Sequence, residues 1–325
     1  MNRSAALFFI VLTNALPPAT ASSAEPQVPE GKIRSAIRRS LPYLEEKGRW
    51  WIDEKKCTSC HRVTFLVWSL IEADRRGFPL DRKKLDGWID WSLKTPDKNS
   101  PDTLAQLILG VKPAATSKPR RDRLAELSDK LVSLQQPDGS WKPGGQLPRQ
   151  KRPLPETAQV STMWNVAALL SHSGETAVVR RKARAFLSSS KPGKSTEWYA
   201  ARILLEHRRA DKPAVAKWRK LLLEQQHADG GWGWLTAEKS DALAAGLGLY
   251  ALLKTGTPRR HPAVQKAARF LIDSQQANGR WRVNGTKAGK RDKPQETSNY
   301  WGTAWATIGL LQLLPEKTRS AKRPR

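Results

Sequence analysis

The chain has 325 residues, with 57 Lys plus Arg against 30 Asp plus Glu, a formal charge of +27. Such a field attracts polyanions, but the basic residues are spread along the chain rather than gathered into one stripe, which disfavours a nucleic-acid reader. Beyond the first 24 residues no stretch is long and apolar enough for a membrane helix, so no transmembrane segment is expected.

Residues 1–24 have the makeup of a secretory signal. Arg3 gives a positive start, Ala5 to Leu16 is mostly apolar, and Ala19-Thr20-Ala21 or Ser22-Ser23-Ala24 offers small residues for cleavage. The protein is therefore expected to be exported, periplasmic or secreted. Residues 25–315 are read as a single domain and 316–325 as a basic, disordered tail.

An amphipathic helix is expected over 32–47, followed by Glu46-Lys47-Gly48-Arg49-Trp50, a worn copy of a phrase that recurs further on. Both cysteines then fall in one run, Cys57-Thr58-Ser59-Cys60-His61. In this spacing two thiols can add across the vinyl groups of haem while the next His reaches the iron. The run therefore predicts covalent haem c on Cys57 and Cys60, with His61 as the metal ligand. Three other readings stand beside it: a dithiol/disulfide pair, a zinc site short of its fourth ligand, and a fortuitous match.

The phrase is clearest at Leu134-Gln135-Gln136-Pro137-Asp138-Gly139-Ser140-Trp141. It returns at Glu224 to Trp232 and at Ser274 to Trp281. Its glycines at 48, 139, 230 and 279 are spaced by 91, 91 and 49, so two copies are missing near 94 and 188. Six units of about 45–50 residues result, an array of one supersecondary unit. Each begins with an amphipathic helix (32–47, 81–94, 120–136, 175–189, 212–226, 262–276) and ends with a more apolar one (61–75, 102–110, 156–171, 197–208, 241–254, 296–313). Leu243 to Leu253 contains no charge, as in a helix buried on most sides. Six outer and six inner helices predict an all-α, α6/α6 toroid.

The phrase resembles the QW motif of squalene–hopene cyclases, and Thr303 to Leu311 resembles the inner helix that ends those enzymes. Protein prenyltransferase β-subunits share the architecture. The resemblance implies a toroid and an apolar, isoprenoid-like ligand in the barrel. Trp68, Trp164, Trp198, Tyr250, Trp301 and Trp305 would line that cavity or simply fill the core. The cyclase chemistry itself needs clustered carboxylates in a DxDD-type run, and the nearest stretch here, Pro155 to Gln159, has a single acid. No catalytic residue is therefore assigned.

Five inner helices begin near an acid: Asp102, Glu156, Glu197, Asp241 and Glu296. Helix capping accounts for all five together; a ring of catalytic acids is the alternative. Aligning Trp68 with Trp164 puts Cys60 opposite Glu156, so the haem would lie at the mouth. Two long basic loops, Lys142 to Pro155 and Arg282 to Gln295, stand beside that mouth and would hold haem propionates, hold an anionic partner, or stay solvated. Met163 is expected in the core, with a distal iron ligand as its other reading.

The functional expectation is an exported haem-c toroid for electron transfer or redox sensing, docking an acidic redox partner protein or a polyanionic surface. The alternative is a terpenoid-cyclase-like or prenyltransferase-like enzyme, or an apolar-ligand binder.

Overall fold

Twelve α-helices alternate between two concentric rings in the computed structural model, which describes residues 26–58, 62–94, 99–170, 176–290 and 292–317. The expected signal segment 1–24 and residues 318–325 of the expected tail lie outside these. In chain order the hairpins are α1 (Glu30–Lys55) and α2 (Val63–Arg75), α3 (Arg82–Lys94) and α4 (Pro101–Val111), α5 (Lys118–Ser133) and α6 (Leu154–Leu169). They continue as α7 (Ala177–Ser188) and α8 (Thr196–Arg208), α9 (Lys212–Glu224) and α10 (Ala242–Lys254), α11 (Pro262–Ser274) and α12 (Glu296–Leu311). The all-α, α6/α6 toroid expected from the repeats is the observed architecture.

Burial separates the rings as the sequence pattern implies. Every residue of α10 from Ala242 to Leu252 is buried, whereas α7 buries only Ala183 and Leu187. An apolar helix with no polar face has to be surrounded, and an amphipathic one covers it. Each inner helix packs on the next: α2 on α4, α4 on α6, α6 on α8, α8 on α10, α10 on α12, and α12 back on α2. The ring is therefore closed. At α10 and α12 the backbones touch, because a Cβ on Gly246 would lie 2.4 Å from Ala306 N and one on Gly309 2.5 Å from Gly246 O.

The recurring phrase is the joint between outer helices. Its Gln donates from Nε2 to a carbonyl on the outer helix of the neighbouring hairpin: Gln135 to Val179, Gln226 to Ala263 and Gln275 to Ala36, at 2.8, 2.8 and 2.9 Å. Its Trp is fully enclosed and turns its indole N–H back onto its own outer helix, Trp141 to Leu131, Trp232 to Leu222 and Trp281 to Leu271. Its Gly is left-handed (φ +89, +87 and +81 at Gly139, Gly230 and Gly279) and lies against the neighbouring helix backbone. A side chain there is excluded twice, by φ and by contact.

One expected copy is not a joint. Gly48 lies inside α1, which runs on to Lys55 rather than stopping at 47. A Cβ on Gly48 would meet Leu66 Cδ2 at 2.8 Å and the Tyr300 hydroxyl at 2.9 Å, so this glycine lets α1 approach the inner ring. Trp50, its supposed partner, is 46% exposed.

At the end of the barrel where the inner helices finish, Arg76 and Glu72 form a buried ion pair at 2.6 Å, and Gln312 bonds to both. This ties α2 to the turn that ends α12. The segment after α12 packs here as well: Lys317 N–H donates to Arg75 O, and Arg75 pairs with Glu316.

Candidate functional site at the barrel mouth

The loops from outer to inner helices gather at the opposite rim. Three of them are long, those before α6, α10 and α12, and helices α6 and α12 stand three steps apart either way around the inner ring. Despite that separation the loops before α6 and α12 meet. Lys151 N–H donates to Thr286 O at 2.8 Å, Gln150 pairs with Lys287 in an antiparallel bridge, and the Lys151 ammonium bonds the carboxylate of Glu238 in a third loop. The two loops expected to flank the mouth thus form a strap across it.

Under the strap lies a cavity of about 170 Å³. The strap contributes Gln146, Gln150, Arg152 and Lys287, and the inner helices contribute Asp102, Ser161, Trp164, Glu197 and Trp301. Asp102 is 4% exposed. It accepts from the Ser161 hydroxyl and, at 2.9 Å, from Gly144 N–H. Burial pushes its carboxyl above the usual range and the nearby Glu197 charge adds to this, while Ser161, Gly144 and Arg152 pull the other way. Glu197 receives Arg152 Nη1 at 2.7 Å and Trp164 Nε1 at 3.3 Å. Arg152 is itself fixed by Thr157 and Ser195 and by stacking over Trp234 at 5.2 Å.

The five acids therefore do not share one role. Asp241 alone caps its own helix, accepting from Ala244 N–H at 2.9 Å, and also from Trp234 N–H. Glu156 accepts from Lys194 N–H and Ser195 N–H, which holds the loop that enters the next inner helix. Asp102 does the same through Gly144, and Ser100 caps α4 in its place. Glu296 accepts from Tyr43 OH and pairs with Arg62, closing the ring at α1 and α2. Common capping fails as an explanation because the carboxylates reach between hairpins. Only Asp102 and Glu197 face the cavity.

Of the residues expected to hold haem, Cys60 and His61 lie outside the described residues. Cys57 is exposed, just past the left-handed Lys56 that ends α1. Thr58 and Arg62 are buried at this part of the rim, and Arg62 stacks over Tyr300 at 4.6 Å. Met163 is fully buried in the core.

The aromatic residues divide. Trp68, Trp164, Tyr250 and Trp305 form one cluster with Phe65, with ring centroids 5.3–6.1 Å apart, and fill the barrel axis. Trp301 joins its edge through Phe65. Trp198 instead packs on Trp218 of α9 at 5.1 Å, outside the barrel interior. Sequence reasoning passed over Ser161 and took Gln150 and Arg152 only as part of the basic loop Lys142 to Pro155; none of the three carries a spacing signal.

No family model matches the sequence, and no curated protein matches it. Solved structures do match in fold. An unsaturated glucuronyl hydrolase from Bacillus sp. GL1, described as responsible for the degradation of glycosaminoglycan, has a TM-score of 0.63 at 14% identity, covering 86% of this chain and 96% of that one. A possible GH105 family member from Klebsiella pneumoniae has a TM-score of 0.60 at 13% identity, covering 94% and 98%. A polysaccharide lyase has a TM-score of 0.57 at 11% identity, covering 87% and 96%.

These likenesses show the shared toroid, and they correct two expectations. The kinship with squalene–hopene cyclases and prenyltransferases gives way to a likeness with carbohydrate-active enzymes. The reading as a haem-c electron-transfer or redox-sensing protein falls with it. The physical reason lies in the phrase: its Gln, Gly and Trp all contact backbone between or within outer helices, so the motif marks a toroid and carries no terpenoid chemistry.

Proposed function

We propose that the protein is a glycan-cleaving enzyme of the glycoside hydrolase type, acting on an anionic saccharide at the strapped mouth. The observation that carries this reading is the pair Asp102 and Glu197, two buried carboxylates facing one cavity in different surroundings. Paired carboxylates whose environments differ are the usual equipment for acid–base cleavage of a glycosidic bond. Asp102, pushed towards its protonated form, gives its proton to the leaving oxygen as the carbon–oxygen bond breaks. A water adds its hydroxyl to the ring carbon, and the proton that water sheds passes to Glu197.

The surroundings support a saccharide. Trp164 and Trp301 offer flat apolar faces beside polar groups. Arg152, Lys287 and Lys290 line the same cavity, and the chain's +27 charge steers anions towards it. The expected polyanionic partner is in this reading the substrate. The test is incubation of the purified protein with glycosaminoglycan disaccharides and longer chains, measuring released reducing ends. Activity that disappears in Asp102→Asn supports the reading, and no release from any anionic saccharide sinks it.

A further inference from the structure

Two buried polar atoms at the cavity have no partner among the described residues: the Oε1 of Gln150 and the Nε1 of Trp301. Gln150 is 8% exposed and Trp301 6%, and both line the cavity. The two carboxylates there are satisfied, since Asp102 is held by Ser161 and Gly144, and Glu197 by Arg152 and Trp164. Buried donors and acceptors are rarely left unbonded, because each forfeits its hydration without replacement. One indole donor and one amide acceptor complement hydroxyl groups, which both accept and donate.

Neither atom is misplaced by local slack. Gln150 N–H donates to Leu147 O at 3.1 Å, its backbone is bridged to Lys287, and the next residue bonds Thr286. Trp301 sits on the first turns of α12, against Phe65 at 6.3 Å. The cavity, at about 170 Å³, is below the ~300–1,000 Å³ of ordinary ligand sites, so it suits one sugar unit rather than a run of them.

We infer that Gln150 and Trp301 are the specificity-determining residues of this site: they read hydroxyl groups of a single sugar unit held beneath the strap. This rests on the saccharide reading above and adds which groups select the sugar. Trp301 N–H donates to one hydroxyl oxygen, and Gln150 Oε1 accepts from a hydroxyl. The strap that carries Gln150 is what presses the acceptor onto the bound unit.

The test is calorimetric titration of wild type, Gln150→Leu and Trp301→Phe with a glycosaminoglycan disaccharide and with analogues lacking one hydroxyl each. Each variant is expected to bind the disaccharide ~10-fold more weakly. Gln150→Leu should keep or raise its melting temperature, since an unpaired buried amide is replaced by an apolar group of similar size. One deoxy analogue should weaken wild type and leave no further loss in the matching variant. Variants that bind as wild type does, or lose affinity equally for every analogue, overturn the inference, as does a wild type that binds no saccharide. Cleavage by wild type with unaltered affinity in both variants overturns it while the proposed reaction stands. Loss of cleavage in Asp102→Asn with affinity retained supports the division of roles.

Discussion

The side-chain amide of Gln275 donates to the backbone carbonyl of Ala36, 239 positions earlier, and so joins the last outer helix to the first. The same amide also bonds Gly279 O at 2.8 Å, so a single side chain both shapes the phrase and closes the outer ring. Gln135 and Gln226 do the equivalent work at Val179 and Ala263, within the ring.

Removing that amide should be felt globally. Gln275→Ala is expected to cost about 1–3 kcal/mol, three lost hydrogen bonds (two from Nε2 and one that Oε1 accepts from Arg39) less solvent compensation. Gly279→Ala is expected to cost more, about 2–4 kcal/mol, since its Cβ would fall 1.9 Å from Arg39 O. Urea midpoints would rank the two, and an unperturbed Gly279→Ala protein would refute the joint.

Arg152 and Glu197 are almost wholly enclosed, with side chains 1% and 9% exposed. Arg152→Met should destabilise by about 3–5 kcal/mol, because it strands a buried carboxylate. Adding Glu197→Gln should recover part of that loss. A double-mutant cycle by thermal denaturation reads the coupling, and additive effects would mean the two charges do not support each other.

Asp102→Asn should retain the fold, since an amide oxygen can still accept from Gly144 N–H or Ser161. Its turnover on a cleavable saccharide should drop about 10²–10⁴-fold, the usual contribution of a general acid. Unchanged turnover would remove Asp102 from the chemistry.

Asp241 gives a pH-dependent prediction. Burial pushes its carboxyl from 3.8 up to about 6, against the N–H groups of Ala244, Trp234 and Leu243 and the charge of Lys151. The folded state thus holds this proton more tightly than the unfolded state. Its contribution is full below the unfolded value and is lost as pH rises through about 6. Asp241→Asn does not titrate. The variant's stability relative to wild type should therefore improve across that window, as measured by chemical denaturation at several pH values. A flat difference would show that Asp241 ionises freely.

The strap should open independently of the barrel. The Lys151 amide, bonded to Thr286, is expected to exchange hydrogen faster than amides of α10, which are surrounded by the ring. Exchange as slow as in α10 would make the strap part of the rigid core.

The toroid could be read from the sequence because its signals are local. Leu243 to Leu253 has no polar face, and the Gln–Gly–Trp spacing recurs wherever three of the outer helices end. Gly48 misled because spacing alone cannot tell a glycine that ends a helix from one that admits a neighbouring helix. The site was less visible. Asp102 and Glu197 stood out as acids, but their division from Glu156 and Asp241 depends on which loop each carboxylate touches. Gln150 and Trp301 line one cavity only because two loops 135 or more positions apart bridge one mouth. The Cys57 to His61 run drew attention to a cofactor because its spacing is conspicuous. The cavity adds to Asp102, Glu197, Trp164 and Trp301 residues such as Ser161, Gln150 and Arg152, which no spacing marks.

A closed circle of hairpins has no capping repeat. An open solenoid frays from its ends, but here every unit has two neighbours, and the first needs the last. The seam between α1 and α11, and between α2 and α12, cannot form until the C-terminal hairpin has left the ribosome. Nascent chains should therefore stay incomplete through most of translation and then lock in one step. Because the first and last hairpins adjoin, a circularly permuted chain cut between two other units should rebuild the same ring.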